Sequence, residues 1–209
     1  MAGETNEISR LVEQISREDV GAVAELLSDA PFPWYVCGGW AIDLLVDAPT
    51  RPHSDLEIGI GRSDQDYLHE LFPEWRLYKF IPRPGQDAEI IPWSRREWLS
   101  LPVHQVMLQN ESFSPPEFEF FLNEIEDETW RSRRRPEIHC PVKALIRVSP
   151  SGIPVAAPEV QLLFKSTHHQ DKDEHDLRIA LPHMSAAQKA WLAEAIRSER
   201  PNDPWLQYL

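Results

Sequence analysis

WYVCGGWAIDLLVDAPTRPHSDLEIGIG, residues 34–61, is the stretch whose reading decides the fold. A short apolar run, Trp34 to Cys37, meets the pair Gly38-Gly39 and then an apolar helical segment, Trp40 to Val46. A Pro-containing link follows, and then a second alternating run, Asp55 to Ile60. Along a strand, residues i and i+2 share a face and the residues between them take the other. Asp55 and Glu57 are therefore expected on one face, their side chains starting roughly 7 Å apart. Leu56, Ile58 and Ile60 take the opposite face, where they can be buried. Two neighbouring carboxylates repel unless a cation lies between them, and a hard divalent ion with oxygen ligands answers that need.

The glycines and the carboxylates point to one chemistry. A strand that runs through Gly-Gly into a helix leaves backbone N–H groups open to a ligand, with no Cβ in the way, and such bends hold phosphates. Tight helix–sheet packing explains a Gly-Gly pair equally well. Phosphate-binding amides beside a divalent-metal site are what nucleoside triphosphate chemistry requires. Arg51 and His53 add positive charge beside the same pocket; a histidine in a turn, hydrogen-bonded locally, is an equally good reading of His53. A third carboxylate is sought on a neighbouring strand. Glu119 lies inside the apolar run Phe118 to Leu122, with Glu117 on its face. A carboxylate buried there is costly unless paired or metal-bound, and it is placed to act as general base on an acceptor hydroxyl. An edge strand with both glutamates in water is the alternative.

Composition narrows the function classes. The 209 residues include 42% hydrophobic ones and eight tryptophans, enough for one globular domain with a helical appendage. No apolar run approaches the ~20 residues of a membrane span, and the first residues do not read as a signal peptide, so a cytoplasmic protein without membrane partners is expected. Two cysteines, Cys37 and Cys140, are too few for a disulfide framework. A net charge of −13 argues against a nucleic-acid partner and is compatible with a cationic small molecule.

Outward from the central stretch, residues 5–15 and 18–28 carry helical spacing, and Ser16 to Asp19 form a capping box. Helix is expected at Asp64 to Phe72 and strand at Trp75 to Ile81, Val103 to Gln109 and Phe118 to Leu122. Residues 82–102 read as an irregular surface segment. The basic run Arg131 to Arg135 reads as a solvated hairpin tip. A strand near Ile153 to Ala156 leads into helices at Pro158 to His168, Asp173 to Leu181 and Ala186 to Arg197, the last capped by Ser185. The order is mixed α/β first and all-helical last. The expected division is residues 1–157 for the first unit and 158–209 for a helical segment packed against it.

Two motifs, Gly38-Gly39-Trp40-Ala41-Ile42-Asp43-Leu44 and Thr50-Arg51-Pro52-His53-Ser54-Asp55-Leu56-Glu57, together resemble the nucleotidyltransferases of the DNA polymerase beta-like superfamily. The nearest look to be aminoglycoside 2″-adenylyltransferases and lincosamide nucleotidyltransferases. Leu101 to Gln105, the run around Glu119, Trp130 with the arginines after it, Pro158 to Lys165, and Lys172 to Leu177 extend the likeness through most of the chain. The resemblance implies an α/β (α+β) fold, with a mixed sheet, helices packed on it and a C-terminal helical segment.

It also implies transfer of a nucleoside monophosphate from ATP or another nucleoside triphosphate to a hydroxyl, dependent on Mg²⁺, two ions of it. Asp55, Glu57 and Glu119 would bind metal. Gly38, Gly39, Arg51, His53, Lys165 and Lys172 would serve the triphosphate. Two positions depart from the family pattern: Glu57 stands for the usual second Asp, and Glu119 for the more frequent third Asp. The acceptor class implied is a small, cationic antibiotic of aminoglycoside or lincosamide type, hence antibiotic resistance. A macromolecular acceptor, as in toxin–antitoxin systems, and an inactive nucleotide-binding or partner module are the other readings.

Overall fold

The computed structural model describes residues 14–209. The helix expected over residues 5–15 lies outside them but for its last two positions. The first described helix, α1 (Arg17–Leu26), opens on the expected box: the Ser16 hydroxyl accepts from the Asp19 N–H, and the Asp19 carboxylate accepts from the Ser16 N–H at 2.8 Å. Then come β1 (Trp34–Cys37), α2 (Gly38–Leu45), β2 (Glu57–Gly61) and α3 (Asp66–Leu71). Strands β3 (Arg76–Ile81), β4 (Glu89–Pro92), β5 (Gln105–Gln109), β6 (Glu117–Glu126), β7 (Thr129–Arg131) and β8 (His139–Pro141) follow. A short α4 (Val142–Leu145) leads to β9 (Ile146–Val148) and β10 (Pro154–Ala156), and the chain ends on α5 (Pro158–Lys165), α6 (Asp171–Ala180) and α7 (Ala186–Glu199).

The sheet runs in the order β4-β3-β5-β6-β2-β1-β10-β9, with β7 and β8 continuing from the far end of β6. It is mixed, as expected. β2 pairs with β6, and β1 with β10, in parallel; the other pairs are antiparallel. Leu56, Ile58 and Ile60 are buried on one face. Phe118, Phe120 and Leu122 lie beside them in the same core, with Val20, Val23, Leu27 and Leu68 from the helices. Apolar area removed from water on this scale dominates the stability of such a layer. That face being packed, the odd-numbered residues of β2 and β6 are turned to the other side. Among the described residues no helix is long and apolar enough to cross a membrane.

Three expectations are corrected. Strand β2 begins at Glu57, two residues later than Asp55. The reason lies next door: β1 ends at Cys37, which faces Glu57, because Gly38 turns the chain out of the sheet. On the other side pairing reaches one residue further, where the Glu119 N–H donates to the Leu56 carbonyl at 2.9 Å. Residues 82–102 are not wholly irregular, since β4 pairs with β3 there and Trp93 and Leu99 are buried. Nor is the basic run a solvated tip. The hairpin turns earlier, at Asp127 and Glu128, and Arg133 and Arg134 fold back over Phe164 of α5, while Arg131 and Arg135 stay exposed.

Candidate active site

Parallel pairing of β2 with β6 sets Glu57 directly opposite Glu119. Register partners in adjacent strands point the same way, so both carboxylates emerge on the face turned away from Leu56, Ile58 and Phe120. Burial pushes the Glu57 carboxyl up to about 7, with Asp55 raising it further and Lys165, Lys172 and Arg51 opposing. Glu119 is also pushed up to about 7, by burial first and then by Glu57; the Gln105 side-chain amide, donating to Glu119 Oε2 at 2.7 Å, works against the shift. Exposed Asp55 adds its charge to both. Carboxylates held this close repel, and a cation between them would offset the repulsion.

The glycines are fitted to this arrangement. Gly38 has a φ of 68°, and a Cβ there would lie 1.9 Å from Glu57 Oε2, so the carboxylate occupies space that only glycine leaves. A Cβ on Gly39 would lie 2.2 Å from Arg51 Nη2 and 2.5 Å from the His53 ring. Gly39 is therefore as much a packing glycine as a ligand-facing one. The Gly38 N–H donates to Gln161 Oε1 of α5 at 2.9 Å.

A cavity of about 440 Å³ opens at this bend. Gly38, Gly39, Arg51, Asp55, Glu57, Lys165 and Lys172 all face it. Its cations are held in place from behind. The fully buried Asp176 of α6 accepts from Arg51 Nε and Nη2, each at 2.8 Å, and pairs with Lys165 Nζ at 2.7 Å. Those partners hold the Asp176 carboxyl below its ordinary value against the opposing effect of burial. Lys172 is exposed on the same wall.

His53 does not face this cavity. Its buried ring stacks on Trp40 at 4.7 Å, and Nε2 bonds Asp43 Oδ2 at 2.7 Å. Asp43 also accepts from the Thr50 N–H and hydroxyl, and the Thr50 hydroxyl meets His175 Nε2 at 3.0 Å. Asp43 thus ties the link before β2 to α2 and α6. Asp176 and Gln161 are the residues that sequence reading missed. Both lie in runs that carried the resemblance, but only their position in space reveals what they hold.

On the other side of Asp55 a groove of about 800 Å³ runs over β5 and β6. Glu119, Glu117, Glu111, Asp19 and Asp55 line it, and no Lys, Arg or His does among the described residues. Asp55 is the one carboxylate common to cavity and groove. Among the described residues no three His, Cys, Asp or Glu side chains are gathered tightly enough to hold an ion as they stand. The donor set nonetheless suits a hard cation: carboxylate oxygens only, two of them raised by burial and mutual repulsion.

The first part of this site matches a known family. The model of the aminoglycoside-2″-adenylyltransferase family matches residues 19–78, from within α1 through α2 and β2 into β3. The lincomycin-bound crystal structure of the lincosamide antibiotic adenylyltransferase LnuA superposes with a TM-score of 0.55 at 15% identity, over 79% of this chain and 96% of that one. ANT(2″)-Ia in complex with adenylyl-2″-tobramycin gives 0.55 at 12% identity, over 86% and 95%. This is the nucleotidyltransferase fold. A solution structure of ANT(2″)-Ia agrees, at a TM-score of 0.53 and 13% identity over 88% and 92% of the two chains. No curated protein matches the chain in sequence. The resemblance read from the two motifs is borne out, and the nucleotidyltransferase fold extends it well beyond the residues that the family model covers.

Proposed function

We propose that this chain is a metal-dependent nucleotidyltransferase. It would move a nucleoside monophosphate from ATP or another nucleoside triphosphate to a hydroxyl of a small cationic acceptor of the aminoglycoside or lincosamide class. The observation that carries this reading is the pair Glu57 and Glu119, in register on adjacent parallel strands between a cation-walled cavity and an acidic groove.

Asp55, Glu57 and Glu119 would hold Mg²⁺, which offsets charge on phosphate oxygens during transfer. Arg51 and Lys165, fixed by Asp176, would meet a triphosphate lying along the Gly38 bend, and exposed Lys172 would add a further charge. The acceptor would lie in the acidic groove, where Glu111, Glu117 and Asp19 attract its ammonium groups. Its hydroxyl oxygen attacks the α-phosphorus while the bond to the β-phosphate bridging oxygen breaks and pyrophosphate leaves. The hydroxyl proton passes to the Glu119 carboxylate. Burial and the neighbouring Glu57 raise the proton affinity of the Glu119 carboxyl, which favours it as the group that takes this proton. The names of LnuA and of the ANT(2″)-Ia–tobramycin product complex support the acceptor class, and the acidic groove supports it independently.

Incubation with Mg²⁺, labelled nucleoside triphosphates and a panel of aminoglycosides and lincosamides tests this directly. Glu119→Gln should lower turnover by about 10²–10⁴-fold while triphosphate binding persists. Full turnover in that variant would remove Glu119 as the base. No product from any acceptor, with intact triphosphate binding, would favour a macromolecular acceptor or an inactive module.

A further inference from the structure

Across Glu57 from the cationic cavity, a recess of about 110 Å³ opens between the sheet and α5. Recess and cavity share Gly38, Glu57, Gln161 and Phe164, so one extended ligand can occupy both. The cavity has its phosphate-directed cations in Arg51, Lys165 and Lys172. The recess is built differently. Tyr35, Leu145 and Val160 give it apolar walls, and Arg133 closes it with its guanidinium carbon 4.9 Å above the Phe164 ring centroid. Arg134 lies 5.3 Å from the same ring but is engaged, donating to the Thr167 hydroxyl. Arg133 makes no hydrogen bond or ion pair among the described residues, though burial and the neighbouring Arg134 push it down to about 10. A half-buried cation without a partner is costly to keep.

Gln161 is the second free donor. Its Oε1 is taken by the Gly38 N–H, which leaves Nε2 with no protein acceptor among the described residues. Apolar walls do not suit a phosphate, but they suit a flat heteroaromatic ring. A guanidinium already stacked on one ring offers its other face for stacking and its N–H edge to carbonyl acceptors.

We propose that this recess takes the nucleobase of the triphosphate. Arg133 and Gln161 Nε2 donate to its carbonyl edge, so guanine and uracil are held in preference to adenine and cytosine. The proposal rests on the nucleotidyl-transfer reading above and names a subsite within it. The residues at issue lie on the segment after β7 and on α5, outside the residues matched by the family model.

The test is titration of the full chain, in Mg²⁺, with each of the four ribonucleoside triphosphates and with inorganic tripolyphosphate, which has no base. GTP and UTP should bind about tenfold tighter than ATP and CTP. Arg133→Met should shrink that ratio to about twofold or less and leave tripolyphosphate affinity unchanged. Arg133→Lys, which keeps the charge but not the fork, should behave like Arg133→Met. Should Arg133→Met fail to fold, Arg133→Lys and Phe164→Leu carry the test, the latter weakening all four nucleotides and sparing tripolyphosphate. Equal binding of all four nucleotides would overturn the proposal. So would an equal loss of GTP and tripolyphosphate in Arg133→Met, which would make Arg133 a phosphate contact. If neither tripolyphosphate nor any nucleotide binds, the nucleotidyl-transfer reading itself fails and the base subsite falls with it.

Discussion

The two hollows that meet at Asp55 differ in charge and in construction: one sets Arg51, Lys165 and Lys172 among Asp55, Glu57 and Asp173, and the other has no cation in its lining among the described residues. Around the Gly38 bend the cations are braced: Asp176 grips both Arg51 and Lys165 from behind, and Asp173 lies 3.6 Å from Lys165. Across Asp55, the groove over β5 and β6 carries acids only: Asp55, Glu111 and Glu117 are exposed, Glu111 pairs with Arg76 from outside the groove, and Asp19 and Glu119 accept from Ser114 and Gln105. A rigid wall suits a ligand of fixed shape such as a triphosphate, which rewards preorganised donors. An acidic surface suits a flexible polycation, whose recognition depends on summed charge more than on any one contact. One protein with net charge −13 can thus attract a polyanion and a polycation a few residues apart, because local geometry outweighs the total.

The comparison breaks first at Asp55, the residue that faces both hollows. Asp55→Asn should cost about a thousandfold in transfer, on the order of the several kcal/mol that a bound cation supplies. Its circular dichroism should be unchanged, since the side chain is exposed and outside the ladder. Near-wild-type turnover would separate Asp55 from the reaction. The double variant Glu111→Gln, Glu117→Gln should sharpen the contrast. It is expected to raise KM for a cationic acceptor about tenfold at low salt and much less at high salt, with KM for the nucleotide unmoved. A rise in both KM values would mean that the hollows are not divided as described.

The smallest effect is on stability. Glu57 and Glu119 have folded values near 7, above the ordinary 4.5. The folded state therefore binds more protons than the unfolded one between pH 4.5 and about 7, and stability falls as pH rises through that window. In metal-free protein, Glu57→Gln should raise Tm by a few degrees at pH 8 and leave it unchanged near pH 4.5. Mg²⁺ should stabilise the wild type more than the variant. A variant less stable than wild type at pH 8, without metal, would show that the pair is not under repulsion.

Much of the site was legible because its parts are local. The capping boxes at Ser16 and Ser185, the Gly38 turn, and the burial of Leu56, Ile58 and Ile60 all follow from short-range rules of period and φ. The misreadings came where partners lie far along the chain. Arg133 looked like a solvated charge until Phe164 was placed beneath it, and His53 looked ligand-facing until Asp43 and Trp40 enclosed it. Strand β4 was hidden because its residues, Glu89 to Pro92, do not alternate as a half-buried strand does. β3 pairs with it only at the sheet edge.

By itself the sequence marked out the candidate site, a glycine bend followed by Asp55 and Glu57, because both are patterns of a few neighbouring residues. Tertiary structure decided how their charges are balanced. Asp176 stands 125 residues from Arg51 and Gln161 stands 123 from Gly38, separations at which no local rule operates. Only packing brings such groups within the few ångströms over which hydrogen bonds and desolvation act, and so only packing could separate a braced cationic wall from an open acidic one.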